Sequence, residues 1–314
     1  MHPIRTLGLL AALLPPQAAA IKVACNEAWI EHTPFAYAHK NKIYKDEASI
    51  VSGGVASLSG DVELGGNAET QGLKQYASHK NYRLIYIVVE ATYRLVANKA
   101  AGIKTLADLK GKKVGTFQGS SAQVFVDTLI GSAGVDRNEF TTVSGSMCMR
   151  APCAANTFPQ RLKNRDIDAF GCWETAVELG IEAAGEENVV VFKNATLYRE
   201  IYSLYATTEN LKNPSMRKKI VQYVKALNQT LEVFKNSPET VYPFVAKEIG
   251  VDVPVLRKVW PEHKWGPGDM GEDLIDFLER EEQYLSKVDK RKAATRAELK
   301  KFVDTSVYED AMKL

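Results

Sequence analysis

The feature that most limits what this chain can fold into is a regular exchange of short apolar runs with helical patterns. "IKVAC" gives way to "FAYAHKNKIY" behind Pro34, and "ASIVSG" leads through a polar, glycine-rich stretch to "YRLIYIVVEA". From Lys104 the exchange restarts with "KKVGTF", "AQVFVDTLIGSAG", "FTTVSG", a helix around "FPQRLKN", "IDAFGC" and "TAVELGIEAA". Apolar runs too short to be helices, spaced by amphipathic ones, predict mostly parallel sheets with helices on both faces. Beyond "YSLYATT" the pattern is helical, and "PSMRKKIVQYVKALNQTLEVFKN" repeats its apolar residues at helical spacing until Pro238 stops it.

Two segments look alike. "SGDVELGG" and "NRDIDAFG" each set a polar break before a short acidic-apolar strand that ends in glycine, as equivalent corners of two similar lobes would. No Pro/Gly/Ser-rich linker separates the halves, so the lobes are expected to be joined by strands crossing at "RLVANK" and "YSLYATT". That division gives residues 21–97 plus 205–314 to the first lobe and 98–204 to the second. A chain of 314 residues, 45% of them hydrophobic, is large enough for more than one core. Its 40 basic and 38 acidic side chains nearly cancel, so no bulk field recruits nucleic acid or anionic lipid, and the expected partner is a small molecule.

The first twenty residues, "MHPIRTLGLLAALLPPQAAA", place Arg5 before a short apolar run, then Pro15, Pro16 and three alanines. This is the pattern of a secretory signal peptide, residues 1–20, cut after Ala20; the run is too short to span a bilayer, which needs about 20 apolar residues. Cys25 falls too late, in too strand-like a run, to be a lipid anchor. The protein is thus expected to be secreted or periplasmic, with no membrane insertion after cleavage. Cys25, Cys148, Cys153 and Cys172 remain in an exporting context, where three pairings are open. "SMCMRAPC" clusters Met147, Cys148, Met149 and Cys153; it reads as a soft copper(I) set or, more plainly, as a local Cys148 to Cys153 bridge, and no metal is assigned. Asn194 and Asn228 begin N-x-Thr triplets that a eukaryotic secretory cell can glycosylate.

"IKTLADLKGKKVGTFQGSSAQVFVDTLIGSAGV" resembles the signature of periplasmic binding proteins for nitrate, taurine, aliphatic sulfonates and thiamine pyrimidines. "RLKNRDIDAFGCWETA" resembles the second-lobe corner of that family, and the segment from "ENLKNPSMRKK" to "VPVLRKVW" its C-terminal helices. The resemblance implies a two-lobed α/β fold of the type 2 periplasmic-binding-protein kind, each lobe a sheet flanked by helices. The lobes would close on a solute by hinge motion. It further implies a monomer and, in a bacterium, an ABC-type importer as partner.

The same superfamily contains an enzyme branch, the fungal thiamine pyrimidine-precursor synthases, which this chain also resembles. Those consume a lysine-bound pyridoxal phosphate and a histidine of their own. The matching positions here are Gly65 and Glu69, and "NATLYREIYSLYATT" lacks the branch's cysteine cluster. Without lysine or histidine the synthase chemistry cannot run, so no cofactor and no catalytic residue are assigned. The expected role is capture of a small polar ligand, zwitterionic or nitrogen-containing, of taurine/sulfonate or thiamine-pyrimidine type. The alternative is an enzyme that reuses the cleft with Glu69 or Glu174 as general base.

Ligands of open α/β sheets bind beyond the carboxyl ends of the strands. That rule selects residues 26–33, 67–70, 90–93, 118–121, 147–150 and 173–174. Gln118, Gly119, Ser120 and Ser121 form a turn whose N–H groups can hold an anionic or carbonyl group, although a plain helix cap uses the same serines. Trp29, Tyr93 and Trp173 offer flat walls. Glu31, Glu69, Glu90 and Glu174 would repel a pure anion and suit an amine or amidine-like group. Asn67 follows the first-lobe corner, and His32 stands beside Glu31 without the further ligands a metal requires.

Overall fold

Eleven strands among the described residues form two sheets. They are β1 (Ile21–Cys25), β2 (Ala48–Ser52), β3 (Leu64–Ala68), β4 (Tyr82–Ala91), β5 (Arg94–Asn98), β6 (Lys113–Gly115), β7 (Thr141–Val143), β8 (Ala169–Cys172), β9 (Val189–Phe192), β10 (Glu200–Thr207) and β11 (His263–Trp265). The first sheet runs β11-β4-β10-β3-β1-β2 and the second β7-β6-β8-β5-β9. The computed structural model describes residues 20–26 and 28–314. The expected signal peptide, apart from Ala20, lies outside the described residues.

The sheets are mixed, where mostly parallel sheets were expected. β1 pairs in parallel with β2 and β3, and β6 with β7 and β8. The strands that arrive from the other sheet run the opposite way: β5 lies antiparallel between β8 and β9, and β10 antiparallel between β3 and β4. β4 leads into β5 through Thr92 and Tyr93 alone, and β9 leads to β10 through residues 193–199. These two passages connect the two sheets, and each lies just before the strand where the crossing was expected, so β5 belongs wholly to the second sheet and β10 to the first. β10 is buried at every position, as a strand covered on both faces must be.

The helical tail is explained locally. Asn213 accepts hydrogen bonds from the N–H groups of Ser215 and Met216, each at 3.1 Å, and Pro214 fills the first helical position, where its missing N–H costs nothing. The helix Pro214–Asn236 then buries Ile220, Val224, Leu227, Leu231 and Phe234 along one stripe against the first sheet. At about 1.5–3 kcal/mol per fully buried large apolar side chain, that stripe rather than helix propensity secures the segment.

Cys148 and Cys153 are joined by a disulfide, which removes both thiolates from the methionine-rich stretch considered for copper. Cys25 and Cys172 are buried thiols on β1 and β8, in different sheets. Among the described residues no helix is long and apolar enough to cross a membrane.

Candidate functional site

The chain leaving β1 passes Trp29 and makes a short 3-10 turn, Ile30–His32, that runs into the helix Thr33–Lys40 with Pro34 in its first turn. That turn points Glu31 and His32 inward, each 3% exposed. β3 delivers Asn67 just before the helix Glu69–Ser78, and β6 delivers the turn before the helix Ser121–Gly131. β8 ends just before Trp173. Together these ends line a cavity of about 280 Å³ between the sheets. Trp29, Glu31, His32, Asn67, Ser120, Ser121 and Trp173 meet there, along with Asn26, Gly53, Ala68, Gln71, Glu200 and Tyr202.

The two tryptophans are a corner rather than parallel walls. Their ring centroids lie 5.5 Å apart at 62°, an edge contact made across the cleft. The Asn26 N–H donates to His32 Nδ1 at 2.6 Å, and the Tyr202 hydroxyl stands 3.2 Å from the same atom. An N–H can only donate, so Nδ1 accepts and the ring proton sits on Nε2. Burial holds the His32 pKa down at about 3, so the ring is neutral. Its Nε2–H has no partner, and neither has the Trp173 Nε1–H.

The acids that line the same cavity carry unpartnered oxygens. Glu31 Oε1 has no hydrogen bond, and its nearest basic atom is His263 Nε2 at 3.6 Å. Glu200, 6% exposed, has a free Oε2. Burial pushes the Glu200 carboxyl well above the usual carboxylate range; Glu31 and Glu69 push the same way, and a hydrogen bond from Tyr93 partly offsets them. Among the described residues no lysine or arginine lines the cavity. An anion placed here would feel the helix N-terminus behind Ser120, worth about 0.3–1 kcal/mol. Against that, a like charge about 4 Å away costs about 4 kcal/mol at an effective dielectric constant of ~20. An ionised carboxylate in the cavity would outweigh the helix, whereas Glu200 in its acid form adds no such repulsion until it ionises.

Several expected residues have other partners. Glu69 is fully buried and accepts from the Tyr198 hydroxyl at 2.7 Å, the Ile201 N–H at 2.6 Å and the Thr70 hydroxyl at 3.2 Å, which ties its helix to the start of β10. Glu90 is paired with Arg199 at 2.8 Å and Lys264 at 3.6 Å. Glu174 accepts from Arg94 Nε at 2.6 Å, while Arg94 also reaches Glu178 at 2.9 Å. Tyr93 is buried behind the cavity, its hydroxyl 3.0 Å from Ser121 Oγ. Gln118 is exposed. Gly119 turns with φ +76° and offers its carbonyl to Lys74 and Gln71 of the other lobe. Ser120 Oγ accepts from the Ala122 N–H and donates to the Phe117 carbonyl, which is the work of a helix cap. Met147 and Met149 line a wider groove of about 870 Å³ that shares Asn26 and Trp29 with the cavity.

Glu200 and Tyr202 were not found from sequence. The rule of strand carboxyl ends excludes them because they open β10, but β10 is antiparallel, so its beginning lies at the edge where its neighbours end. A glutamate heading the otherwise apolar "EIYSLYAT" was the available signal. At Gly65, the position matching the synthase lysine, an added Cβ would lie 2.9 Å from both the Gly54 carbonyl oxygen and Val55 Cα. No side chain fits there without moving backbone.

The sequence profile of the family described as NMT1/THI5 like matches residues 29–241. Among curated proteins no sequence matches. Solved structures share the architecture. The periplasmic aliphatic sulphonate binding protein SsuA from Escherichia coli superposes with a TM-score of 0.69 at 17% identity, over 90% of this chain and 92% of that one. The Candida albicans CA3427 gene product, of the generic periplasmic binding protein fold, gives 0.65 at 13% identity, over 92% and 97%. The desulfurization enzyme DSZB gives 0.62 at 14%, over 94% and 99%. The two-lobed periplasmic-binding-protein architecture is therefore the fold of this chain, and that fold carries both binding proteins and an enzyme.

Proposed function

The chain belongs to the NMT1/THI5-like family, and from that membership and the cleft we propose that it is a secreted or periplasmic solute-binding protein. It captures one small polar solute, zwitterionic or nitrogen-containing, between its lobes, and in a bacterium hands it to an ABC-type importer. The observation that carries this reading is the set of unpartnered buried groups around one cavity: donors on His32 and Trp173 beside acceptors on Glu31 and Glu200. Buried polar atoms left without partners cost about 1–3 kcal/mol each, and a solute with complementary groups removes that cost.

Capture without conversion is favoured because the two carboxylates considered as bases are already committed. Glu174 is ion-paired to Arg94, and Glu69 accepts three hydrogen bonds. The Gly65 backbone excludes a Schiff-base lysine. The test is a thermal-shift survey of taurine-like, sulfonate and aminopyrimidine solutes on the purified protein. One solute should raise the melting temperature in proportion to the logarithm of its concentration above Kd. The shift should be absent in Trp29→Ala. Consumption of the stabilising solute would defeat the reading.

A further inference from the structure

We infer that the cleft selects for a cationic nitrogen group and against a pure anion, and that Glu200, acting with Glu31, is the specificity-determining residue. This rests on the solute-binding reading above and narrows it. Both carboxylates line the cavity, are at least nine-tenths buried, and each has an oxygen without a partner. The lysine and arginine side chains nearby are engaged elsewhere, and His263 Nε2, 3.6 Å from Glu31 Oε1, is the basic atom that faces the pair. Arg94 is held by Glu174 and Glu178, Arg199 by Glu90 and Asp273, and Lys74 donates to the Gly119 carbonyl.

A second observation, independent of the acids, points to a ligand in the same place. His32 is nine-tenths buried and lines the cavity, and its proton-bearing Nε2 has no acceptor. A solute that satisfies both sets must therefore present donors on a positive centre and an acceptor atom within a few ångströms of it. Protonated amino-heterocycles that keep a second ring nitrogen have that arrangement; an amidinium supplies the donors and the positive charge alone, and a plain sulfonate or nitrate has acceptors only. The carboxyl of Glu200 is held in its acid form by burial, then by Glu31 and Glu69, and an arriving cation is what stabilises its ionised form.

The test uses two probes that share a phenyl ring and carry opposite charge, benzamidinium and benzenesulfonate, titrated calorimetrically into the unmodified protein. Benzamidinium should bind at least tenfold more tightly than benzenesulfonate. Glu200→Gln, which keeps the shape and cannot ionise, should weaken benzamidinium at least tenfold and reduce the discrimination. Equal or tighter binding of benzenesulfonate, no binding of benzamidinium, or an unchanged affinity in Glu200→Gln overturns the inference. A parallel titration of Trp173→Ala separates the two levels of the argument. Benzenesulfonate preferred, and dependent on Trp173, leaves capture in the cleft standing and overturns only the charge selectivity. Benzamidinium binding that is indifferent to Trp173 overturns both.

Discussion

Lys74 Nζ donates to the Gly119 carbonyl at 2.9 Å, so a side chain on the helix Glu69–Ser78 reaches the turn that follows β6 in the other sheet. Gln71 reaches the same oxygen at 3.3 Å, and Trp29 and Trp173 touch nearby. These contacts join the two halves beside the cavity, which Gln71, Trp29 and Trp173 line. We expect Lys74→Ala with Gln71→Ala to speed release of a bound solute several-fold, since each hydrogen bond contributes about 0.5–1.5 kcal/mol. Unfolding stability should fall by at most about 1–3 kcal/mol, the same two bonds being lost and Lys74 being partly exposed. Stopped-flow release is the measurement; an unchanged off-rate would show that these bonds do not gate the cleft.

The Arg94 and Glu174 pair should be structural. Removing one member of a buried ion pair costs about 3–5 kcal/mol, so Arg94→Ala should lower stability in urea by that order, leaving Glu174 and Glu178 without their cation. Glu174→Gln should lower stability yet leave solute affinity within a few-fold. Abolished binding at unchanged stability would make Glu174 a ligand contact and contradict the assignment.

Stability should depend on pH in a way that separates the acids from His32. Glu200 is raised above its ordinary 4.5 by burial, then by Glu31 and Glu69; Glu281 is raised by burial, then by Glu69. A raised acid binds more protons folded than unfolded, so its contribution is complete below 4.5 and is lost as pH rises through the folded value. His32 is lowered from 6.5 to about 3 by burial, so its contribution is complete above 6.5 and is lost as pH falls toward 3. Below pH 6.5 the two oppose each other; above it only the acids act. The melting temperature of the solute-free protein should therefore fall from pH 6.5 to 8.5, and Glu200→Gln should flatten that slope. A rise over this range, or an equal slope in the variant, would contradict the protonated Glu200.

What the sequence revealed and what it hid follow from how far apart the partners lie. Strand ends are local, so Trp29, Glu31, His32, Asn67, Ser121 and Trp173 could be gathered by one rule. Glu90 and Glu174 looked identical to Glu31 because their arginines stand 109 and 80 residues away. Glu200 was hidden by strand direction, which depends on how β10 re-enters the first sheet. The serine turn was ambiguous for a different reason: capping and anion binding use the same atoms, and only the Ala122 N–H reveals that Ser120 caps. The two glycosylation triplets also read alike. Asn194 is exposed, whereas Asn228 is half-buried and accepts from the Tyr86 hydroxyl at 2.9 Å.

The central claim is reversible capture of one solute in the cavity lined by Trp29, Trp173, Glu31 and Glu200. Its most direct test is to saturate the purified protein with the solute found in the thermal-shift survey, remove the excess, denature the complex and identify the released molecule by mass spectrometry. The account expects one intact solute per chain, and none from the Trp29→Ala, Trp173→Ala double variant. Recovery of a chemically altered molecule in excess of one per chain, or equal recovery from the double variant, would contradict it.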